Sequence, residues 1–432
     1  MGLRRLDLRG FAGDRRELVA RLPRPVDEQD RSSDAVAAIL ADVRANGDEA
    51  LRRLTSTFDH VELDELRVPA SEISAALGRV PSGLQEALDV AHDRILAYHA
   101  HEAGETPDDF TNGGITVRHL VRPVTRAGCY APGGRARYPS TVLMCAVPAQ
   151  VAGVEKIVLC VPPGPNGRID DATLAAAAVA GVSEVYSVGG AQAIAAMAYG
   201  TDSIAPVDVI VGPGNRYVAE AKRQVSGVVG VASAFAGPSE VVVIAGPDTP
   251  SEFAAIDLVV QAEHGPDGLA WLITWSEAVA DRVDEAVDRI VAASPRRVDL
   301  EATLGTGGYA VLVDNARQAC AVANVVAPEH LEILTKNAGS LLANIESAGA
   351  VFLGVNAPAS VGDYLAGPNH VLPTNRTARF ASALRVDDFR KHIHAVSMDD
   401  EAVRTLGPFV VTLAETEGLP AHAQSVRLRW PT

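Results

Sequence analysis

Aromatic residues make up only 5% of this 432-residue chain. Alanine, valine and glycine carry much of the apolar fraction instead, and that fraction reaches 47%. Small apolar side chains let strands and helices pack closely in layers, so the scarcity of rings does not exclude a large core. The length suggests two or three lobes. Cysteine is also scarce. Cys129, Cys145, Cys160 and Cys320 include no CxxC pair, which argues against a zinc–thiolate site or a dithiol redox motif. Their expected role is that of small buried hydrophobes in a reducing compartment. No stretch is dense in Lys and Arg with interleaved aromatics. With 38 basic and 54 acidic residues the formal charge is −16, and that field repels a polyanion. Nucleic acid is therefore not an expected partner, although a local pocket for a small anion is compatible with the balance. The N-terminus, MGLRRLDLRG, lacks the apolar core of a signal peptide. The richest run of small apolar residues, Thr173 to Val182, is too short and too alanine-rich to span a bilayer. The expectation is a cytoplasmic protein with no membrane partner.

What the chain does have is alternation. Its first 25 residues are charged and closed off by Pro23 and Pro25, and they read as an arm outside the core. Helical periodicity follows from Ser33 to Phe58, with Val36, Ile39, Leu40, Val43 and Leu51 near one face. Ser33 with Asp34 gives an N-cap signal. A second helix is expected from about Ser82 to His99. Beyond Ile115, short β-branched runs alternate with helical segments. The runs include Lys156–Val161, Glu184–Val188, Val207–Val211, Glu240–Ile244, Leu269–Thr274, Tyr309–Val313 and Ala350–Leu353. Such alternation implies parallel sheet with right-handed crossovers. The fold class expected is α/β, with two Rossmann-like parallel-sheet units of similar topology, split near Gly237-Pro238-Ser239-Glu240. A last helix, about Glu401 to Glu417, precedes the tail.

Open parallel sheets bind ligands at the carboxyl ends of their strands. Two glycine turns fall there: Val188-Gly189-Gly190-Ala191-Gln192 and Val211-Gly212-Pro213-Gly214-Asn215. Each is expected to open a helix and to offer backbone N–H groups to a pyrophosphate. Neither is the GxGxxG fingerprint, and each alone is more often a plain tight turn, whereas two in consecutive βα units put the nucleotide reading on equal footing.

Further along, Asp257, Gln261 and His264 are spaced as one stripe of a helix. Gln261 and His264 would sit in its last turn, where an amide oxygen and an imidazole suit zinc, or simply cap carbonyls. In Val326-Ala327-Pro328-Glu329-His330, Pro328 suits a first helical turn. Glu329 and His330 would then project side by side from a helix start, an acid and an imidazole able to orient water and move protons. The segment Gly362 to Thr374 is irregular yet carries Asp363, Asn369 and His370, as functional loops often do. The last helix ends at Glu417-Gly418, with His422 beyond it. Gln261, His264, Asp363 and His422 together form a mixed nitrogen and oxygen donor set suited to zinc with open positions.

Taken in order, these segments resemble the histidinol dehydrogenase family. The matching stretches run from Tyr130-Ala-Pro-Gly-Gly-Arg through Val188-Gly-Gly-Ala-Gln, Gly212-Pro-Gly-Asn, Ala236-Gly-Pro-Ser-Glu and Gln261-Ala-Glu-His. They continue through Ala327-Pro-Glu-His-Leu-Glu, Gly362-Asp-Tyr and Asn369-His-Val-Leu-Pro-Thr to Glu417-Gly-Leu-Pro-Ala-His. Ser233-Ala234-Phe235 and Ser382-Ala383-Leu384-Arg385 depart from the usual family pattern. Neither touches an expected ligand, but both leave room for a paralogue with another alcohol or diol substrate.

The resemblance implies zinc, one ion per active site, held by Gln261, His264, Asp363 and His422, the last from the partner in a homodimer. It implies NAD contacts at Tyr130, Gln192 and Asn215. It assigns Ser239, His370 and Glu417 to the substrate site, beside Gln261, His264, His330, Asp363 and His422, and it makes Glu329 and His330 the acid–base pair. The implied reaction is oxidation of L-histidinol, through a bound aldehyde, to L-histidine with two NAD. The boundaries expected are an arm at 1–25, a metal and catalytic domain from 26–129 with 240–380, an NAD domain at 130–239, and a helical dimerisation tail at 381–432. A zinc hydrolase using Glu329 as base, or an idle nucleotide-binding protein, are the readings from other classes.

Overall fold

A computed structural model describes residues 2–23, 32–133, 137–232, 239–263, 265 and 268–430. Fourteen strands lie among them. β1 (Arg4–Asp7) opens the chain, and β2 (Phe110–Asn112) and β3 (Ile115–Pro123) form a hairpin. β4 (Arg126–Tyr130), β5 (Lys156–Val161), β6 (Glu184–Ser187), β7 (Val209–Val211) and β8 (Gly230–Val231) make a first parallel sheet. β9 (Glu240–Ala245), β10 (Leu269–Thr274), β11 (Gly308–Leu312), β12 (His330–Leu334) and β13 (Ala350–Leu353) make a second. β14 (Arg390–Met398) pairs antiparallel with β3.

The two parallel sheets repeat one topology. The first runs β6-β5-β4-β7-β8, and the second runs β11-β10-β9-β12-β13 with β1 added outside β11. In each, the chain starts at a central strand, builds outward on one side, then crosses to the other. The crevice where the direction reverses lies between β4 and β7 in one sheet and between β9 and β12 in the other. Two α/β units of similar topology, divided just before β9, is the arrangement expected from the alternation.

The apolar runs form these strands because both faces are covered. Leu272, Val243 and Val241 face Leu258, Val259 and Ala255 on one side of the second sheet. Val242, Ile244, Ile273 and Leu331 face Ala319, Val322 and Ala323 on the other. Burying one such aliphatic side chain contributes about 1.5–3 kcal/mol.

Three expectations are corrected here. The N-terminal arm is more than an arm: Arg4–Asp7 pairs with β11, and Leu3 and Leu8 are buried. Its charges misled because they sit on an edge, where Arg4 covers the Tyr309 ring at 4.3 Å and Arg5 reaches Asp281 at 3.1 Å. The helix Ser33–Asp59 is capped by Ser32, one residue earlier than expected, without a side-chain capping hydrogen bond. Its apolar face (Val36, Leu40, Val43, Leu51) packs into the core of the first sheet, whereas the boundaries expected above grouped residues 26–129 with the second.

By contact density the chain divides into two units. One holds residues 1–102 and 125–389, including both parallel sheets. The other holds residues 103–124 and 390–432. Within the second, β2, β3 and β14 form an antiparallel sheet, and the helices Asp400–Thr416 and Pro420–Arg427 pack through Val411, Ala414 and Ala423. Among the described residues, no helix is long and apolar enough to cross a membrane.

Candidate active site

Two groups of residues gather at opposite kinds of sheet edge. The first occupies the carboxyl ends of the first sheet. Tyr130 ends β4, and its buried hydroxyl accepts the Gly190 N–H at 3.1 Å. Burial pushes the phenol's pKa up, so it stays protonated. Gly189 caps the helix Gly190–Tyr199, which carries the buried Gln192. Asn215 caps the helix Arg216–Val225, accepting the N–H groups of Tyr217 and Val218 at 3.0 and 3.1 Å. Gly212 is the position where glycine is required. Its φ is +106°, and a Cβ there would collide with the Tyr130 carbonyl oxygen. The fully buried Lys222 ammonium donates to the Gly212 carbonyl from below. Tyr130, Gln192 and Asn215 thus come from three strand ends around the β4–β7 crevice, with two helix N-termini beside it.

The second group corrects the expectation that function sits at carboxyl ends. It lies at the amino edge of the second sheet. Glu329 and His330 do not open a helix. Ala327, with φ of +49°, ends the helix Ala316–Val326, and His330 begins β12. The sequence His330-Leu-Glu-Ile-Leu alternates, so Leu331 and Ile333 enter one core while His330 and Glu332 face the other side. Pro328 serves the turn between the left-handed Ala327 and the strand, which is why it resembled a helix start.

His330 is only 4% exposed. Its Nδ1 lies 3.7 Å from Glu329 Oε2, and its Nε2 lies 3.4 Å from Asp363 Oδ1. The first is too long for a hydrogen bond, and the second is a weak one at most. Burial favours the neutral imidazole, but the charge of Glu329 and the hydrogen-bonding and charge of Asp363 together outweigh it, holding the pKa above its ordinary value. Glu329 Oε2 accepts the Glu240 N–H at 3.2 Å. Glu240 itself is buried, and that burial, reinforced by the charge of Glu329, pushes its carboxyl up to about 8. Ser239 stands immediately before Glu240 at this edge, its carbonyl accepting Leu269 N–H.

Gln261 ends the helix Ser251–Ala262, on the face toward the sheet. Its side chain is buried, and its Nε2 has no hydrogen-bond partner among the described residues. A buried, unpaired amide N–H is costly unless a partner completes it; a cation would take the amide oxygen, which needs the amide turned over. Asp363 lies near the end of the helix Ala359–Tyr364, and its carbonyl oxygen is 2.7 Å from His370 Nδ1. His370 Nε2 lies 3.2 Å from Thr141 Oγ1, on the helix that follows β4. His370 therefore ties the irregular segment to the first sheet.

The structure thus brings together Glu329, His330, Asp363 and His370, with Ser239 beside Glu240 at the same edge; Gln261 is buried in the last turn of the helix Ser251–Ala262. His264 falls outside the described residues. Glu417 and His422 belong to the second unit, where both are exposed near the junction of its two helices. Among the described residues no cluster of three or more His, Cys, Asp or Glu side chains forms a ready metal site.

Sequence reasoning missed Glu240, Thr141 and Glu332. Glu332 had a signal: it is a charged residue inside an otherwise apolar, alternating strand. Glu240 and Thr141 had none beyond adjacency to glycine- and proline-rich turns.

Comparisons with known proteins agree on one family. The family model described as histidinol dehydrogenase matches residues 22–430. A histidinol dehydrogenase of Gluconobacter oxydans is 46% identical over 431 residues, covering 99% of each chain. One of Thermosynechococcus vestitus is 47% identical over 404 residues, 93% of this chain and 94% of the relative. The crystal structure of histidinol dehydrogenase from Elizabethkingia anophelis matches with a TM-score of 0.93 at 35% identity, covering 99% of this chain and 98% of that one.

Proposed function

The chain belongs to the histidinol dehydrogenase family, and from that premise we propose how its residues oxidise L-histidinol to L-histidine with two NAD. When bound, NAD would accept the hydride at each oxidation, and zinc would supply Lewis-acid binding of the substrate's nitrogens. Tyr130, Gln192 and Asn215 bind NAD at the β4–β7 crevice, within the domain assigned to residues 130–239. Gln261, His264 and Asp363 hold the zinc, with His422 supplied by the second copy in a homodimer. Asp363 beside the base supports this reading. Ser239, His370 and Glu417 complete the substrate pocket. Exposed apolar residues of the C-terminal helices, Phe409, Leu413 and Leu428, support the homodimer, and residues 381–432 are assigned as its tail. A cytoplasmic location is part of the same reading.

The observation that carries the mechanism is His330, buried between two carboxylates with neither ring nitrogen closely bonded. In the first oxidation His330 takes the alcohol proton as hydride leaves the carbinol carbon. The imidazolium is stabilised by Glu329 and Asp363. The aldehyde stays in the site, so it does not leak into solvent. Glu329 then draws a proton from water, whose oxygen adds to the aldehyde carbon while the His330 imidazolium gives its proton to the aldehyde oxygen, so that the hydrate forms and His330 is neutral again. His330 deprotonates the hydrate as a second hydride leaves, and the carboxylic acid results.

The test is NADH formation from L-histidinol by purified protein with zinc, followed to its end point. Two NADH per histidinol consumed are expected. A folded, zinc-loaded protein that forms none would refute this substrate and direct screening to other amino alcohols and diols.

A further inference from the structure

The side of β12 that carries His330 also carries Glu332, one strand step further in. Glu332 is fully buried, and it touches two other elements. Its Oε1 accepts the Ala359 N–H at 3.0 Å. Ala359 begins the short helix that ends near Asp363. Its carboxyl also meets the carboxyl of Asp257. Asp257 lies on the helix Ser251–Ala262, one turn before Gln261 on the same buried face. Glu332 Oε2 meets no N–H donor. Two carboxyl groups in contact inside a protein cannot both be ionised, so they share a proton, and one donates O–H to the other.

Both neighbours of Glu332 therefore belong to helices that carry metal-site residues. We propose that Glu332 is a positioning residue for the metal site: with Asp257 it ties the helix carrying Gln261 to the helix carrying Asp363. This rests on the assignment of Gln261 and Asp363 to zinc. Its physical basis is spacing. Asp257 is one helical turn from Gln261, and Ala359 is one turn from Asp363, so each ligand is held one turn from an anchor on the same carboxyl. Ligand geometry is maintained by such outer contacts as much as by the ligands themselves. The sequence placed Asp257 on the Gln261 stripe without a partner. The partner is the one charged side chain that β12 turns into its α-helical face beside His330.

The test is zinc affinity, read by competition with a chromogenic chelator, beside NAD affinity read by fluorescence. Glu332→Gln keeps an oxygen for Ala359 N–H and offers an amide N–H to ionised Asp257, so wild-type zinc affinity is expected. Glu332→Leu keeps the bulk and breaks both ties, so a loss of at least tenfold is expected with NAD affinity unchanged. The double variant Asp257→Leu, Glu332→Leu removes both polar partners together and should keep thermal stability while still losing zinc affinity. A merely structural pair would move stability and leave zinc alone. Wild-type zinc affinity in Glu332→Leu and in the double variant would overturn the proposal, as would a tenfold loss in Glu332→Gln. Gln261→Ala serves as the reference. If it retains wild-type zinc affinity, the ligand assignment fails, and the positioning role falls with it for that separate reason.

Discussion

His330 and Glu329 are adjacent in sequence but differ in what they can reach. His330 stands between Glu329 and Asp363 and is placed to remove a proton in both oxidations. Glu329, fixed by the Glu240 N–H, has a distinct task only where water must be activated. Replacing a general base typically costs 10²–10⁴-fold. Glu329→Gln keeps the hydrogen bond from Glu240 and the shape. It is expected to slow aldehyde oxidation by about 10²-fold or more and alcohol oxidation by less than about tenfold. Separate turnover assays on the alcohol and the aldehyde check this. Equal losses in both would make Glu329 a positioning group for His330. His330→Asn should depress both steps, since each needs its proton removed.

At the scale of elements, the cofactor crevice depends on one close approach. Gly212 passes so near the end of β4 that any side chain would strike the Tyr130 carbonyl, and its φ of +106° disfavours any other residue. Gly212→Ala is expected to destabilise the fold by about 1–3 kcal/mol and to weaken NAD binding at least tenfold. Zinc retention should be unchanged, because the catalytic cluster belongs to the other sheet. Normal NAD affinity in a folded variant would show that the crevice tolerates displacement of this turn. The same contrast explains what the sequence made legible. Lys156–Val161 and Leu269–Thr274 were readable to their ends because all but Lys156 are β-branched or apolar and turns bound them. The glycine turns were readable because a positive φ and a close approach demand glycine. β12 was not, since its outer half carries His330 and Glu332 where apolar residues would have marked a strand. β3 and β14 were missed because their sheet is largely solvated and their residues follow no clean alternation. Distance between segments was equally unreadable: nothing in the sequence says that Asp363 returns to His330, since only the packing of β13 beside β12 brings it back.

For the molecule as a whole, two properties follow from how charge and sites are distributed. If His422 completes the site of a second copy, chains carrying His422→Ala mixed with chains carrying His330→Asn should regain activity in heterodimers with one intact site. Absence of recovery under demonstrated subunit exchange would place His422 in its own chain's site. Stability should also depend on pH with a definite sign. Glu240 is pushed up to about 8 and Glu332 to about 9 by burial and by neighbouring carboxyls, from an ordinary value of 4.5. Above pH 4.5 an unfolded chain releases these protons while the folded chain keeps them, so stability falls as pH rises toward 8 and 9. His330 acts in the same direction: its pKa is raised from 6.5, so its contribution is present below 6.5 and lost as pH climbs through the folded value. Glu220 acts oppositely. Its carboxylate is held down to about 2 chiefly by Arg223, so its contribution is present above 4.5 and lost as pH falls toward 2. Urea unfolding without metal should therefore show greatest stability in weakly acidic solution and a decline toward pH 9. Glu240→Gln removes one proton from the alkaline side. It should reduce that decline by roughly 3–5 kcal/mol between pH 5 and pH 9. An unaltered decline in this variant would mean that the Glu240 carboxyl ionises as readily in the folded chain as in the unfolded one.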